Sequence, residues 1–329
     1  MRLLQILASL FKVVFVTSIS LFQEESFMVW YKQHNSSYNK SYEDLINTWI
    51  DNDNYINYIN SQNYTYKLGH NHFSGMNSVE FSEYMNFYNN RQIILTQRRL
   101  NKYLNIVNLS TNYPTSLDWT SNGAVTSVKN QGQCGSCWTF STVGAVEGYY
   151  YIKNHLLVDL SEQQLLDCDN VNQGCNGGSL QNAYRWILTN KGLCTYASYP
   201  YLAKKSSTCS KCLVDNKSKI NAYVSVSPNN DINMITALLL NPVSVSIEAS
   251  QQAFQLYKSG VFTQTCGVKL DHGVLLVGYG IDNLTNYYKI KNSWSRLWGE
   301  NGYIRIGRGS QYNNGAGQCG VLMNAVYPI

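Results

Sequence analysis

Apolar positions along this chain change their rhythm twice. Between Ser41 and Asn60, the residues Tyr42, Leu45, Trp49, Ile56 and Ile59 fall mostly at helical spacings, which predicts an amphipathic helix. Cys137 to Lys153 carries Trp138, Phe140, Val143, Val146, Tyr149 and Tyr150 and reads as a long buried helix. Ser161 to Cys168 predicts a second helix, with Ser161 as N-cap and Gln164 as its capping-box partner. Leu180 to Lys191 predicts a third, ended by Gly192. Beyond residue 215 the pattern becomes strand-like. Ala222–Ser227, Val243–Ile247, Gly273–Tyr279, Tyr287–Ile290 and Gly302–Ile306 alternate or run apolar over strand lengths. A helical half followed by a β-rich half predicts an α+β fold of two packed subdomains with a cleft between them.

The start of the chain has a different character. Arg2 precedes an apolar stretch from Leu3 to Val16, broken by Gln5 and Lys12, and the small residues Ser18 and Ser20 follow. That layout predicts a secretory signal over residues 1–20 rather than an amphipathic helix. The segment from Phe27 to Arg99 is polar, tyrosine-rich and free of cysteine, with helical stretches. Arg98, Arg99 and Lys102 lead into the polar run 105–112, and Pro114 stops any helix, so a boundary is expected near Tyr113. The net charge of +5 is not concentrated in any Lys/Arg run, so no nucleic-acid footprint is expected. Beyond the signal no apolar stretch reaches the ~18 residues of a membrane span. A soluble protein of the secretory route is the expectation.

The nine cysteines all lie between Cys134 and Cys319. An odd number in an oxidising compartment implies disulfide pairs plus one free thiol. Zinc sites are the competing use, but no histidine stands near Cys134/Cys137 or Cys209/Cys212 to complete one, so no metal is expected. Cys137 opens a helix after Gly135-Ser136, where partial positive charge and unpaired N–H groups lower a thiol pKa. A thiol nucleophile needs a base. Of the five histidines, His34, His70 and His72 lie in the cysteine-free part, and His155 follows a polar helix end. His272, after Asp271 at a strand start, is the candidate.

Gln131-Gly-Gln-Cys-Gly-Ser-Cys-Trp138 resembles the active-site segment of the papain-like cysteine proteases, in particular the cathepsin L-like group. His272 lies 135 positions beyond Cys137, and Asn292, within Lys291-Asn-Ser-Trp294, lies 155 beyond. Asp118-Trp119, Gly174-Cys-Asn-Gly-Gly178, Tyr199-Pro-Tyr201, Asp271-His272-Gly273 and Trp298-Gly-Glu-Asn-Gly-Tyr303 extend the resemblance from Tyr113 to Ile329. It implies a papain-like fold with a helical left half and a β-barrel-like right half, hydrolysing peptide bonds without a cofactor. It implies Cys137 as nucleophile, His272 as its imidazolium partner, Asn292 as orienter of the ring, Trp294 as its cover and Gln131 as oxyanion donor. Gly177 and Gly178 are implied to pair with substrate backbone, and Trp294 and Trp298 are expected among the substrate-binding residues. Leu180, Ser246, Gly273 and Asn324 are implied to form a pocket for a bulky apolar side chain two residues before the cut. Implied disulfides are Cys134–Cys175, Cys168–Cys209 and Cys266–Cys319. Cys194 and Cys212 are left for a fourth bond, and Cys209 and Cys212 are interchangeable.

Phe27-x-x-Trp30, Asn52-x3-Ile56-x3-Asn60 and Gly69-x-Asn71-x-Phe73 resemble the mainly helical inhibitory propeptide of the same group. Residues 21–112 are therefore expected to be that propeptide and 113–329 the peptidase domain. Four positions depart from the family pattern. Ser41 and Leu45 stand where its helix has Glu and Arg, Gly75 stands where it has Asp, and Ser295 stands where it has Gly. Losing the carboxylate at 75 is expected to flatten the acid response of activation. Expected partners are protein or peptide substrates, the chain's own propeptide and cystatin-type inhibitors, with the protein a monomer. Lysosome, vacuole and extracellular space are the expected destinations. Sequons occur at Asn35, Asn39, Asn63, Asn108, Asn216 and Asn283. The alternative readings are a catalytically inactive papain-fold binding or storage protein and a Cys–His transferase; no His-rich insertion suggests an exopeptidase.

Overall fold

The computed structural model describes residues 20–86 and 113–329. Most of the expected signal, the basic residues Arg98, Arg99 and Lys102 and the sequon at Asn108 lie outside them.

The first described stretch is a small helical unit. Helix α1 (Leu21–His34) opens on a complete capping box between Ser20 and Gln23. Helix α2 (Tyr42–Ser61) opens on Ser41, whose side chain accepts from the Asp44 N–H. Phe27 and Trp30 of α1 pack against Leu45, Ile46, Trp49 and Ile50 of α2. Tyr42 stays at the rim, edge-on to Phe27 at 5.5 Å. Two polar residues on the buried side of α2 bind the returning chain. Asn52 Nδ2 donates to the carbonyls of Ser74 and Met76, each at 2.9 Å. Asn60 donates to the Leu68 carbonyl at 2.9 Å and accepts from its N–H at 2.8 Å. These bonds hold strand β1 (Tyr66–Leu68) and helix α3 (Ser78–Asn86) beside α2.

After β2 (Leu117–Asp118) comes the helical half, α4 (Cys137–Asn154), α5 (Glu162–Cys168) and α6 (Leu180–Asn190). Trp138, Val143, Val146, Leu165, Leu166, Leu180, Tyr184 and Ile187 build its core. Ser161 caps α5 as expected, accepting from the Gln164 N–H at 3.0 Å. The box is not reciprocal: Gln164 Oε1 is drawn across to the Cys194 N–H at 2.8 Å, because the Ser161 N–H is already bound to the Cys194 carbonyl. Helix α6 ends at Asn190, one residue earlier than expected. Lys191 takes the left-handed cap at φ 62°, and Gly192 follows at φ 120°.

The β-rich half consists of β3 (Tyr223–Ser225), α7 (Asp231–Leu240), β4 (Val243–Ile247), a short α8 (Gln252–Gln255), β5 (Tyr257–Phe262), β6 (His272–Asp282), β7 (Thr285–Lys291), β8 (Tyr303–Gly307) and β9 (Ala325–Pro328). The hydrogen-bonded path is β1-β5-β8-β7-β6-β4-β9-β3, with β2 beside β6. The path is open: it begins and ends on different strands, so the β-barrel-like half does not close. Pairing is antiparallel except between β5 and β8. The edge partner of β5 is β1 from the first unit. Gly260 permits this, lying at φ +88° where a Cβ would come within 2.3 Å of the Thr65 carbonyl oxygen. Ile56, Ile59, Tyr66, Leu68, Phe73 and Phe81 join the core of this half.

Four disulfides form: Cys134–Cys175, Cys168–Cys209, Cys194–Cys212 and Cys266–Cys319. This leaves Cys137 as the free thiol. Among the described residues no helix is long and apolar enough to cross a membrane.

Ser295 occupies a left-handed position at φ 69°. Its hydroxyl accepts from the Leu297 N–H at 3.3 Å, which offsets part of the strain. Ser295→Gly is expected to stabilise the protein by about 0.5–1 kcal/mol, the αL cost of a side chain less the added freedom of glycine in the unfolded chain. Thermal unfolding reads this, and a lowered Tm would contradict it.

Candidate active site

Helix α4 begins at Cys137 with no side-chain cap, because Ser136 is turned away. Its hydroxyl lies 2.5 Å from the Tyr201 hydroxyl instead. The backbone N–H groups of Cys137, Trp138 and Gly273 lie within hydrogen-bonding range of the thiol and favour its anion. Cys137 is only 6% exposed, however, and this dominates: burial pushes its pKa up to about 11.

Strand β6 delivers His272. Its next residue, Gly273, pairs with Ser246 on β4 and packs on the first turn of α4. A Cβ at Gly273 would sit 3.3 Å from the Cys137 carbonyl carbon and oxygen and from the Trp138 Cα. The start of β6 thus abuts the start of α4. The Nε2 of His272 lies 2.7 Å from Asn292 Oδ1, which also accepts from the Ser293 N–H at 2.8 Å. An amide oxygen only accepts, so Nε2 carries the proton and the unprotonated Nδ1 is left for another partner. Burial pushes the His272 pKa down to about 4, against the opposing Asn292 bond. Each group by itself is held neutral.

Trp294 stacks on the His272 ring at 4.6 Å and 24°, shielding the bond to Asn292. Phe73 meets Trp294 edge-on at 5.0 Å and Phe81 at 5.9 Å, so the first unit covers the cover. Trp298 lies behind Trp294 in the core, its Nε1 donating to the Gln255 carbonyl at 3.1 Å. It is fully buried and meets Trp294 edge-on at 5.1 Å, buttressing it from within.

Gln131 is fixed at both ends. Its Oε1 accepts from Ser293 Oγ at 2.6 Å and its Nε2 donates to the Cys134 carbonyl at 3.1 Å. Its backbone N–H donates to the Ser293 carbonyl at 2.8 Å. Ser293, overlooked in the sequence, thus aligns both Gln131 and Asn292; only its place inside Asn292-Ser-Trp294 hinted at this. On the opposite wall, Cys134–Cys175 and the Gly135 N–H bond to the Cys175 carbonyl at 2.9 Å tie the Gly174–Gly178 turn to the active-site loop. Gly178 packs against the Trp138 ring, where a Cβ would come within 2.6 Å.

Leu180, Ser246 and Asn324 are all buried, Leu180 within the core of the helical half. Asn324 donates to Ser246 Oγ at 2.9 Å and accepts from Gln181 Nε2 at 2.7 Å. Its polar capacity is spent inside the protein. Gln181 was not foreseen, since an amide next to the apolar Leu180 at a helix start gives no sequence signal.

Behind the site lies a buried ionic cluster that the sequence did not reveal. Lys129 Nζ reaches Glu162 at 2.6 Å, Asp159 at 2.5 Å and Glu147 at 3.4 Å. Lys291 donates to Thr126 Oγ1 at 3.0 Å. Burial pushes Glu162 up to about 7 and Lys291 down to about 8.

A family profile described as "Papain family cysteine protease" matches residues 113–329. Chymopapain of Carica papaya is 41% identical over 91% of this chain and 85% of its own length. The probable cysteine protease RD21B of Arabidopsis thaliana is 42% identical over 85% of this chain, which spans 59% of that protein. The crystal structure of the ragweed pollen allergen Amb a 11 cysteine protease in its proform superposes with a TM-score of 0.83 at 34% identity. That match covers 93% of this chain and 94% of the other. The chain belongs to the papain family of cysteine proteases.

Proposed function

We propose that this chain is the precursor of a cysteine endopeptidase, with a signal over residues 1–20, an inhibitory pro-segment over 21–112 and the enzyme over 113–329. The observation that carries this reading is a free thiol at a helix start, abutted by the strand that bears His272, whose ring is hydrogen-bonded to Asn292 under Trp294. Cys137 passes its proton to His272 and attacks the scissile carbonyl. The developing oxyanion accepts from the Cys137 backbone N–H and from Gln131 Nε2. His272 then protonates the leaving amine, and a thioester joins Cys137 to the acyl half. Water attacks the thioester, with His272 taking its proton, and the thiol is regenerated. Asn292 keeps the ring in register throughout.

Gly177 and Gly178 offer backbone to the substrate, as a strand added to the cleft wall. The pocket of Leu180, Ser246, Gly273 and Asn324 accepts a bulky apolar side chain two residues before the cut, because its polar atoms are paired with one another. Four disulfides fit an oxidising compartment and so a route to lysosome, vacuole or outside the cell. With Cys137, His272 and Asn292 all present, the inactive-storage reading has no lost residue to support it.

The charge pair on this reading belongs to the uncovered cleft, since both groups are pushed toward neutrality when buried. In the intact precursor the Cys137 thiol is expected to alkylate slowly at pH 5–7 and to speed up only toward strongly alkaline pH. After the pro-segment is removed it is expected to react rapidly with a peptidyl epoxide at pH 5. Mass spectrometry should find a single adduct on Cys137 and a new N-terminus near Tyr113. A properly folded chain that takes no adduct in either form would overturn the assignment of the nucleophile. Gln131→Ala is expected to lower kcat by about 10²–10³-fold with KM little changed, as for loss of one oxyanion donor. A KM effect alone would remove Gln131 from that role.

A further inference from the structure

Three of the five histidines lie in the first unit, and two of these answer protons very differently. His70 stacks on Trp49 at 3.9 Å and its Nε2 lies 3.1 Å from Asp53 Oδ1. A charge on His70 therefore meets a carboxylate, with Lys258 of β5 facing it from the peptidase domain. His72 has no such partner. It lies in the turn between β1 and α3, its ring 4.0 Å from that of Phe73, the residue that meets Trp294 over the active site. Its Nδ1 is buried without a hydrogen-bond partner. The titratable group electrostatically coupled to it is another histidine, His34 at the end of α1, which packs on Trp30 at 5.4 Å. The charged groups around the same turn, Lys40 and Glu80, are paired with each other at 2.5 Å, and Lys40 also donates to the Gly75 carbonyl at 2.9 Å.

Gly75 closes the argument. A Cβ there would lie 2.7 Å from Tyr38 Cζ and 2.8 Å from Trp30 Cη2, so aromatic rings fill the space a carboxylate would need. The Tyr38 hydroxyl donates to the His72 carbonyl and accepts from the Gly75 N–H. Glu80 at this turn is already paired with Lys40, and among the described residues no carboxylate bonds the His72 ring, whose Nδ1 stays unpartnered.

We infer that His72, backed by His34, is the proton-operated latch that releases residues 21–86 from the peptidase domain. Protonation puts two cations side by side beneath an aromatic lid, at the turn that carries Phe73 onto Trp294. Burial holds the His72 pKa down to about 4 and lowers that of His34. The docked form thus excludes a proton that the released segment takes up near pH 6.5. Docking has its full strength above pH 6.5 and weakens as pH falls toward 4, by at most about tenfold per unit for one group. His70 contributes less, because Asp53 compensates its charge.

This inference rests on reading 21–112 as a pro-segment, but its test reads docking and not proteolysis. The full precursor carrying Cys137→Ala, which cannot cut itself, is followed by amide hydrogen exchange of α1, α2 and residues 66–81 from pH 7.5 to 4, with rates corrected for intrinsic pH dependence. Protection is expected to fall in acid with a midpoint between pH 4 and 6.5. His72→Phe, which keeps the ring and removes the proton site, is expected to move that midpoint down by half a unit or more. His34→Gln should move it the same way by less. If His72→Phe fails to dock at pH 7.5, the His34→Gln precursor decides. A midpoint unchanged in the docked variants overturns the latch. A shifted midpoint in a protein whose Cys137 form cleaves no peptide would sink the proposed function and leave the latch standing.

Discussion

Gly273 has no side chain, so the second residue of β6 can lie against the backbone of Cys137. That approach sets the rest of the site. It brings His272 to the start of α4, and the register of β6 with β4 places Ser246 directly across from Gly273. The strand after the hairpin, β7, then carries Asn292 back to the ring. A methyl group at 273 would press on the Cys137 carbonyl from 3.3 Å and widen the one contact where the two halves of the enzyme share their chemistry. Trp294, stacked on His272 and braced edge-on by Trp298, finishes the arrangement and keeps water from the His272–Asn292 bond.

The second tie between the halves is ionic. Lys129, Glu147 and Glu162 meet in a buried cluster, with Lys291 beside it on β7 next to Asn292. Buried ion pairs seldom add net stability, because removing charges from water costs about what their attraction returns. They do impose geometry, since each member tolerates few other positions. Here they fix the end of β7, and hence Asn292, against helices α4 and α5.

Much of this was legible in the sequence, and the reasons are local. The long helices announced themselves by spacing, and β4 by its run Val243–Ile247. Cys137 was readable as the free thiol because the cysteine count is odd and this one opens a helix. What stayed hidden depended on partners distant in sequence. Strand β5 contains Lys258, Ser259 and Gly260 and has no alternation; it is a strand because β8 and β1 flank it. Gln164 looked like a capping partner, yet Cys194, 30 residues away, claims its oxygen. Ser293 and Gln181 are ordinary polar residues whose roles come entirely from what the fold sets beside them. The balance at the Cys137 thiol was also beyond the sequence, because helix position argues for a thiolate while burial argues against it.

All four disulfides lie within the peptidase domain, and no cysteine precedes Cys134. The covering unit is therefore held by one covalent link, the chain itself. While that link is whole, the covering unit is present at an effective concentration set by its tether, of the order of millimolar for a short one. On the proposed reading, a cut near Tyr113 would turn the same contacts into an encounter between two molecules, governed by the volume they share. A crowded volume would keep the two pieces together, and dilution would part them without any change in either surface.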